Sequence, residues 1–157
     1  MLSFVLRRGA TPMLRTGLAS RRTLMSLENT KYTARATASG QGRNGTVKST
    51  DEAGLELHLA MPKALGGKGD GQNPEQLLAM GYSACFLGAM QMVAGQQGKT
   101  DAARNAKVHA QVHLGKPKDM KGFGLAVDIQ VEGVDDQALI DGAHAPWVCK
   151  WDHRQRF

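Results

Sequence analysis

The chain has 157 residues, enough for one domain with a hydrophobic core and too few for two comfortable ones. Its net charge is +6, but five arginines fall within residues 1–22, so the remainder is nearly balanced and shows no basic stripe with interleaved aromatic residues. This distribution argues against a nucleic-acid-binding protein. The two cysteines, Cys85 and Cys149, form neither the framework of a secreted mini-protein nor a CxxC motif.

Residues 1–26 are typical of a mitochondrial transit peptide. They are basic and contain Ser and Thr, and the first acidic residue is Glu28. A secretory signal fits less well because no uninterrupted apolar region follows the arginines; a disordered basic tail is the other interpretation. We expect a location in the mitochondrial matrix, with cleavage between Arg22 and Lys31.

The next part of the chain predicts three short strands. Residues 32–38 alternate in polarity, residues 46–50 return after a Gly-rich connection that contains Asn44-Gly45, and residues 55–60 alternate again. Asn-Gly is a hairpin signal. The pattern predicts an antiparallel meander with one face free to cover a helix.

One apolar helix follows, and the rest of the chain is organised around it. Asn73 is suited to the N-cap and Pro74 to the first turn, residues 77–93 carry no charge, and Gly95 and Gly98 offer places to end. A helix that is apolar on nearly every side is expected to be buried in a core. Its length and its interspersed small and polar residues argue against a membrane span.

The remaining elements are a loop, two strands and a helix. Residues 62–72 form a Gly- and Lys-rich flap that lacks the spacing of a phosphate-binding loop. Alternation over 108–114 and 124–131 predicts two more strands, and 135–143 predicts a short helix with Asp135 or Asp136 near its N-cap. The expected fold class is therefore α+β.

The histidines do not predict a metal site. His109 and His113 share one side of their strand but stand roughly 13 Å apart at the standard strand rise. They are poor partners for one ion, and we interpret them, like His58, as part of an exposed polar face.

Cys85 lies near the middle of the apolar helix. A buried cysteine is usually a small core hydrophobe, whereas a reactive one needs its thiolate stabilised by a cation or a helix N-terminus. Arg43 is a candidate cation, and Glu75 could orient it through a bidentate pair. Glu75 precedes Cys85 by roughly 15 Å of helix. Arg43 would have to bridge them, the helix would have to start later, or the site would have to form across a dimer interface.

Several segments resemble the organic hydroperoxide resistance proteins, a branch of the OsmC/Ohr superfamily. They occur in the family's order and cover roughly residues 30–144. The matching pieces are Gly42-Arg43-Asn44-Gly45, Leu65-Gly66-Gly67 with Gly69, Asn73-Pro74-Glu75-Gln76-Leu77, Gly81-Tyr82-Ser83-Ala84-Cys85-Phe86-Leu87-Gly88-Ala89, Val93-Ala94-Gly95, and Gly122-Phe123-Gly124-Leu125-Ala126-Val127.

The resemblance implies antiparallel sheets packed around a long central helix, in a subunit that intertwines with a second copy as a homodimer. It implies a cysteine peroxidase without a bound cofactor or metal, in which Cys85 is the peroxidatic cysteine and Arg43 and Glu75 activate it. The implied substrates are alkyl and fatty-acid hydroperoxides. The implied product is a sulfenic acid that a second thiol converts to a disulfide, with dihydrolipoamide on lipoylated proteins as reductant.

The tail, residues 145–157, departs from the family pattern. The family's resolving cysteine sits just after an Ala-His pair, in a Cys-Pro-Tyr-Ser context, and precedes a final strand. After Ala143-His144, Cys149 comes two positions late, and the closing strand is missing. The change indicates a frameshift, a retained intron or a faulty gene model, and leaves open that Cys149 resolves Cys85.

Two function hypotheses therefore compete. The first is a mitochondrial peroxidase for organic hydroperoxides. The alternative is a non-cycling form with a reactive Cys85 that acts at most as a redox-sensing or interaction module.

Overall fold

The computed structural model describes residues 28–118 and 121–144. Its first part is the predicted antiparallel meander, with strands β1 (Ala36–Ser39), β2 (Thr46–Ser49) and β3 (Glu56–His58). The strands are shorter than the sequence pattern suggested. Pairing between β1 and β2 begins only where Ala36 faces Ser49, because the chain turns away immediately after β2.

The connection between β1 and β2 is not the tight Asn-Gly hairpin that the sequence predicted. It is a longer loop that contains a 3₁₀ turn at Gly42–Asn44. The Asn44 side chain accepts a hydrogen bond from the Met61 backbone N–H at 3.0 Å and so ties the loop to the chain beyond β3. Position 45 requires glycine, because the backbone of Ser39 approaches it closely: a Cβ at this position would lie 2.0 Å from the carbonyl oxygen of Ser39.

Helix α1 spans Pro74–Gln96 and begins where the sequence predicted. The Asn73 side chain accepts from the Gln76 backbone N–H at 2.9 Å, and the Gln76 side chain accepts from the Asn73 N–H at 2.9 Å. This reciprocal capping box satisfies two donors that the helix start leaves unpaired. Gly98, with φ of +68°, lies just beyond Gln97, the C-cap of the helix.

The hydrophobic core lies on one side of α1. Strands β4 (Lys107–Gly115) and β5 (Gly124–Glu132) form an antiparallel hairpin that packs against α1, as does α3 (Gln137–His144). Asp136 precedes α3 and accepts from the Ala138 backbone N–H at 3.0 Å, so it supplies the predicted N-cap interaction. The short helix α2 (Thr100–Ala103) was not predicted, because four residues are too few for a periodic signal.

The expectation that α1 is enclosed on nearly every side is wrong. Its buried residues are Phe86, Ala89, Met90 and Ala94, and Met80 is 63 % exposed. Within the described residues, the elements that pack on α1 cover one side only. The helix is long and apolar enough, by length and composition, to cross a membrane, but a core helix meets the same criterion. Its packing against β4 and α3 is that of a core helix.

The outer face of the β4–β5 hairpin is polar, as predicted. His109 Nε2 lies 3.3 Å from a Glu132 carboxylate oxygen, and His113 Nε2 lies 3.1 Å from a carboxylate oxygen of Asp128. Both histidines are about half exposed. In residues 28–118 and 121–144, no three His, Cys, Asp or Glu side chains come together as metal ligands.

Leu139 is fully buried between α3 and α1, whereas Leu55, immediately before β3, is 57 % exposed. We expect Leu139→Ala to lower the free energy of unfolding by about 2–5 kcal/mol, because it removes buried methyl groups and leaves a cavity. Leu55→Ala is the matched control and should change it by less than about 0.5 kcal/mol. Urea unfolding measures both, and equal losses would contradict the assigned core.

Candidate active site

The structure joins Arg43 to Glu75. Arg43 lies in the 3₁₀ turn between β1 and β2, and Glu75 lies in the first turn of α1. Nη1 of Arg43 donates to Oε2 of Glu75 at 2.9 Å, and Nη2 donates to Oε1. This bidentate geometry fixes the plane of the guanidinium and links the first sheet to the central helix.

The pair is shielded from water on the glutamate side. The Glu75 side chain is 15 % exposed and that of Arg43 is 36 % exposed. The hydrogen bonds from Arg43 lower the pKa of Glu75, and this effect exceeds the opposing effect of burial. The same hydrogen bonds raise the pKa of Arg43. The carboxylate therefore stays ionised and holds a permanent cation at the start of α1.

Cys85 lies on α1 ten residues beyond Glu75 and is half-buried. Because the helix is continuous from Pro74 to Gln96, the two residues are separated by roughly 15 Å along its axis. The suggestion that the helix starts after Glu75 is wrong. Both terminal nitrogens of Arg43 are held at the first turn by Glu75. Along the helix of one chain, the thiol-bearing residue is therefore roughly three turns from the first turn that holds the Arg43–Glu75 pair.

A cavity of about 390 Å³ lies beside Glu75. It is formed by the start of α1, the loop before the helix and the end of β4, and all but three of its lining residues are apolar. The lining comprises Pro62, Ala64, Leu65, Asn73, Glu75, Gln76, Ala79, Val112 and Leu114. An apolar cavity with a few convergent polar groups is the usual form of a small-molecule site.

Sequence reasoning did not find the contribution of β4 to this cavity. Val112 and Leu114 alternate as any half-buried strand does, and nothing local shows that they face the start of α1. Among the described residues, a second and larger open pocket is lined by parts of 30–35 and 50–53, and neither Arg43, Glu75 nor Cys85 borders it. Cys149 and the two terminal segments, 1–26 and 145–157, lie outside the described residues.

The Arg43–Glu75 pair predicts a pH-dependent contribution to stability. A carboxyl group whose pKa is lowered by folding stabilises the folded state above its ordinary value of 4.5, and that contribution is lost as the pH falls through the lowered value. Glu75→Gln should therefore cost about 1–2 kcal/mol near pH 7 and progressively less as the pH approaches about 3.

Urea unfolding of the wild type and Glu75→Gln across this pH range measures the effect. Glu56→Gln is the control, since Glu56 and Lys48 form an exposed ion pair at 3.4 Å, and it should change stability by less than about 0.5 kcal/mol throughout. A cost for Glu75→Gln that stays constant with pH would show that the ion pair is not its cause.

The fold and the site have recognisable relatives. The OsmC-like protein family model matches residues 67–147. An organic hydroperoxide resistance protein of Xanthomonas axonopodis pv. citri is 42 % identical over 139 residues, which is 85 % of this chain and 93 % of the relative. These matches place the α+β scaffold in the OsmC-like class.

Solved structures agree with this assignment. An organic hydroperoxide resistance protein from Legionella pneumophila has a TM-score of 0.64 and 41 % identity, covering 74 % of this chain and 85 % of its own. One from Vibrio cholerae, with captopril bound in one of its active sites, has a TM-score of 0.65 and 38 % identity, covering 76 % and 82 %. The chain belongs to the organic hydroperoxide resistance branch of the OsmC/Ohr superfamily.

Proposed function

We propose that this protein is a thiol-dependent peroxidase that reduces organic hydroperoxides to alcohols. The observation that carries the proposal is the ionised Arg43–Glu75 pair beside an apolar cavity, in a chain whose relatives are named for organic hydroperoxide resistance. The cavity fits an alkyl tail, and the guanidinium fits the polar peroxide group.

In the proposed reaction, the chain's own residues and the peroxide supply the reacting atoms. The Cys85 thiolate attacks the terminal oxygen of the hydroperoxide, the O–O bond breaks, and the alkoxide leaves and takes up a proton to form the alcohol. Cys85 then carries a sulfenic acid. A second thiol attacks its sulfur, and a disulfide and water form. Arg43 stabilises the thiolate and polarises the peroxide, while Glu75 orients Arg43.

The separation of Cys85 from Arg43 within one chain leads us to place each site between two copies of the protein. The open side of α1 supports this arrangement. Gly81, Gly88 and Gly95 recur at seven-residue spacing, and a Cβ on any of them would meet no neighbour within 4 Å in this chain. Small residues let a second helix approach closely. A homodimer would cover this face and bring Cys85 of one copy to Arg43 of the other.

We further propose that the reductant is dihydrolipoamide on lipoylated proteins, that Cys149 is a candidate resolving thiol, and that the protein acts in the mitochondrial matrix. The basic N-terminal segment supports the location, because it has the composition of a transit peptide. No bound cofactor takes part in this scheme, since thiol chemistry alone carries the two electrons.

Steady-state turnover with tert-butyl hydroperoxide tests the proposal. With dihydrolipoamide and an NADH-coupled lipoamide dehydrogenase, we expect continuous NADH oxidation that depends on both substrates. Oxidation of Cys85 once per chain with no further cycle would instead establish the non-cycling form. Absence of any Cys85 oxidation would reject both.

A further inference from the structure

The turn that bears Arg43 is weakly fixed by its own hydrogen bonds. It is a 3₁₀ turn of three residues, Gly42–Asn44. Short 3₁₀ turns have poor hydrogen-bond geometry. The two backbone bonds that close this one, donated by Asn44 and Gly45, span 3.2 and 3.1 Å between nitrogen and oxygen. Contacts outside the turn are therefore needed to fix where the guanidinium lies.

Two hydrogen bonds tie this turn to the chain beyond β3. The Gly45 carbonyl oxygen accepts from the Leu59 N–H at 2.8 Å. The Asn44 side-chain oxygen accepts from the Met61 N–H at 3.0 Å. The first bond needs only the backbone, whereas the second needs a side-chain acceptor of this length. Asn44 is therefore the position at which the residue type decides how the turn is attached.

The backbone conformation of Asn44 does not itself call for asparagine. Asparagine is common in turns because it tolerates positive φ and bonds to its own backbone two residues on. Here, no residue other than glycine that the structure describes has a positive φ. The Asn44 side chain is exposed and bonds to Met61, 17 residues away. Neither local conformation nor burial explains the residue type, which leaves the hydrogen-bond acceptor as the property that this position uses.

The segment that contains Met61 is in turn fixed to the start of α1. The N–H of Ala60, which precedes Met61, donates to the carbonyl oxygen of Gln72 at 2.8 Å. Gln72 lies two residues before the first residue of α1, and the first turn of that helix carries Glu75. The hydrogen bond that Asn44 accepts therefore holds the turn against the same helix start that carries Glu75.

We propose that Asn44 is a positioning residue of the candidate site. Its bond to the Met61 N–H holds the turn where the guanidinium of Arg43 meets Glu75 with both terminal nitrogens. The role is geometric, since a displacement of about 1 Å within a reacting site can lower a rate about 100-fold. The consequence for Cys85 rests on the proposed function, in which Arg43 stabilises the thiolate.

The pKa of Glu75, followed by NMR of its carboxyl carbon, tests the positioning without any reaction. The hydrogen bonds from Arg43 hold this pKa below its ordinary value of 4.5. In Asn44→Ala the turn loses its side-chain attachment, so the pKa of Glu75 should rise and lose roughly half or more of its depression. Asn44→Ser, whose hydroxyl is too short to reach Met61, should give the same rise, and Arg43→Ala should abolish the depression.

Asp51→Ala is the matched control. The Asp51 carboxylate also accepts a backbone N–H from a distant residue, that of Arg35 at 3.1 Å, but at the opposite end of the first sheet. This variant should leave the pKa of Glu75 unchanged. An unchanged pKa in both Asn44 variants, or an equal rise in Asp51→Ala, would overturn the positioning role and show that the Arg43–Glu75 pair sets its own geometry.

Alkylation of Cys85 by iodoacetamide separates this inference from the proposed function. Chains that carry Cys149→Ser have one thiol, and its alkylation rate at neutral pH follows the fraction of thiolate. If Arg43 stabilises that thiolate, Arg43→Ala should slow alkylation. Asn44→Ala should then slow it about tenfold, and Asp51→Ala should not.

The two remaining outcomes of the alkylation experiment point in different directions. Slower alkylation in Arg43→Ala alone would keep the proposed function and overturn a role for Asn44 in it. Wild-type rates in both variants, together with the raised pKa of Glu75, would retain Asn44 as the positioning residue of the ion pair and would reject activation of the thiol by Arg43.

Discussion

Cys85→Ser should reduce hydroperoxide turnover by roughly 10³-fold or more, as loss of a catalytic nucleophile does in other enzymes. The serine hydroxyl is not ionised near neutral pH and cannot form a sulfenic acid. The half-buried position tolerates the exchange of sulfur for oxygen, so the free energy of unfolding should change by about 1 kcal/mol or less. Turnover of tert-butyl hydroperoxide and trapping of the sulfenic acid with a dione reagent measure the loss.

Cys149→Ser is the matched control for this prediction. It leaves the first oxidation of Cys85 intact and removes only the proposed partner for the disulfide. We expect one rapid turnover with an accumulated sulfenic acid. If Cys85→Ser retained turnover and Cys149→Ser lost the first oxidation, the roles assigned to the two cysteines would be wrong.

A mixture of two inactive variants should recover activity. Arg43→Ala keeps the thiol, and Cys85→Ser keeps the Arg43–Glu75 pair. If each site combines Arg43 of one copy with Cys85 of the other, about half of randomly paired dimers hold both variants, and each of these has one intact site. Chains co-refolded in equal amounts should therefore reach about a quarter of wild-type turnover, while each variant alone is inactive.

Two further measurements decide how the result of this mixing experiment is interpreted. The first is a control: the single variant Lys48→Ala should keep wild-type turnover. It also removes a cation that is paired across neighbouring elements, but its partner Glu56 is exposed. If each chain holds a complete site of its own, the mixture stays as inactive as its parts. Light scattering on the wild type independently measures the oligomeric state, and a monomer with full turnover would exclude a shared site.

Local sequence signals were sufficient for most of the secondary structure. The start of α1 follows from Asn73, Pro74 and Gln76, which satisfy the first N–H groups without any tertiary contact. Strands β4 and β5 follow from alternation, because one face of each packs inward and the other meets water. The short helix α2 was not predicted, because its four residues are too few to show a helical period.

The candidate site likewise has features that can be read from the sequence and others that depend on the tertiary structure. The residue types of Arg43, Glu75 and Cys85, and their place on a turn and a helix, are properties of the sequence. Their grouping is not, because the ion pair joins residues 32 positions apart and depends on how the first sheet meets α1. The apolarity of α1 was evident from the sequence, but only the tertiary structure showed that part of that surface, including Met80 and Met92, stays uncovered within one chain. Periodicity measures which side chains avoid water, whereas the arrangement of the elements decides what covers them.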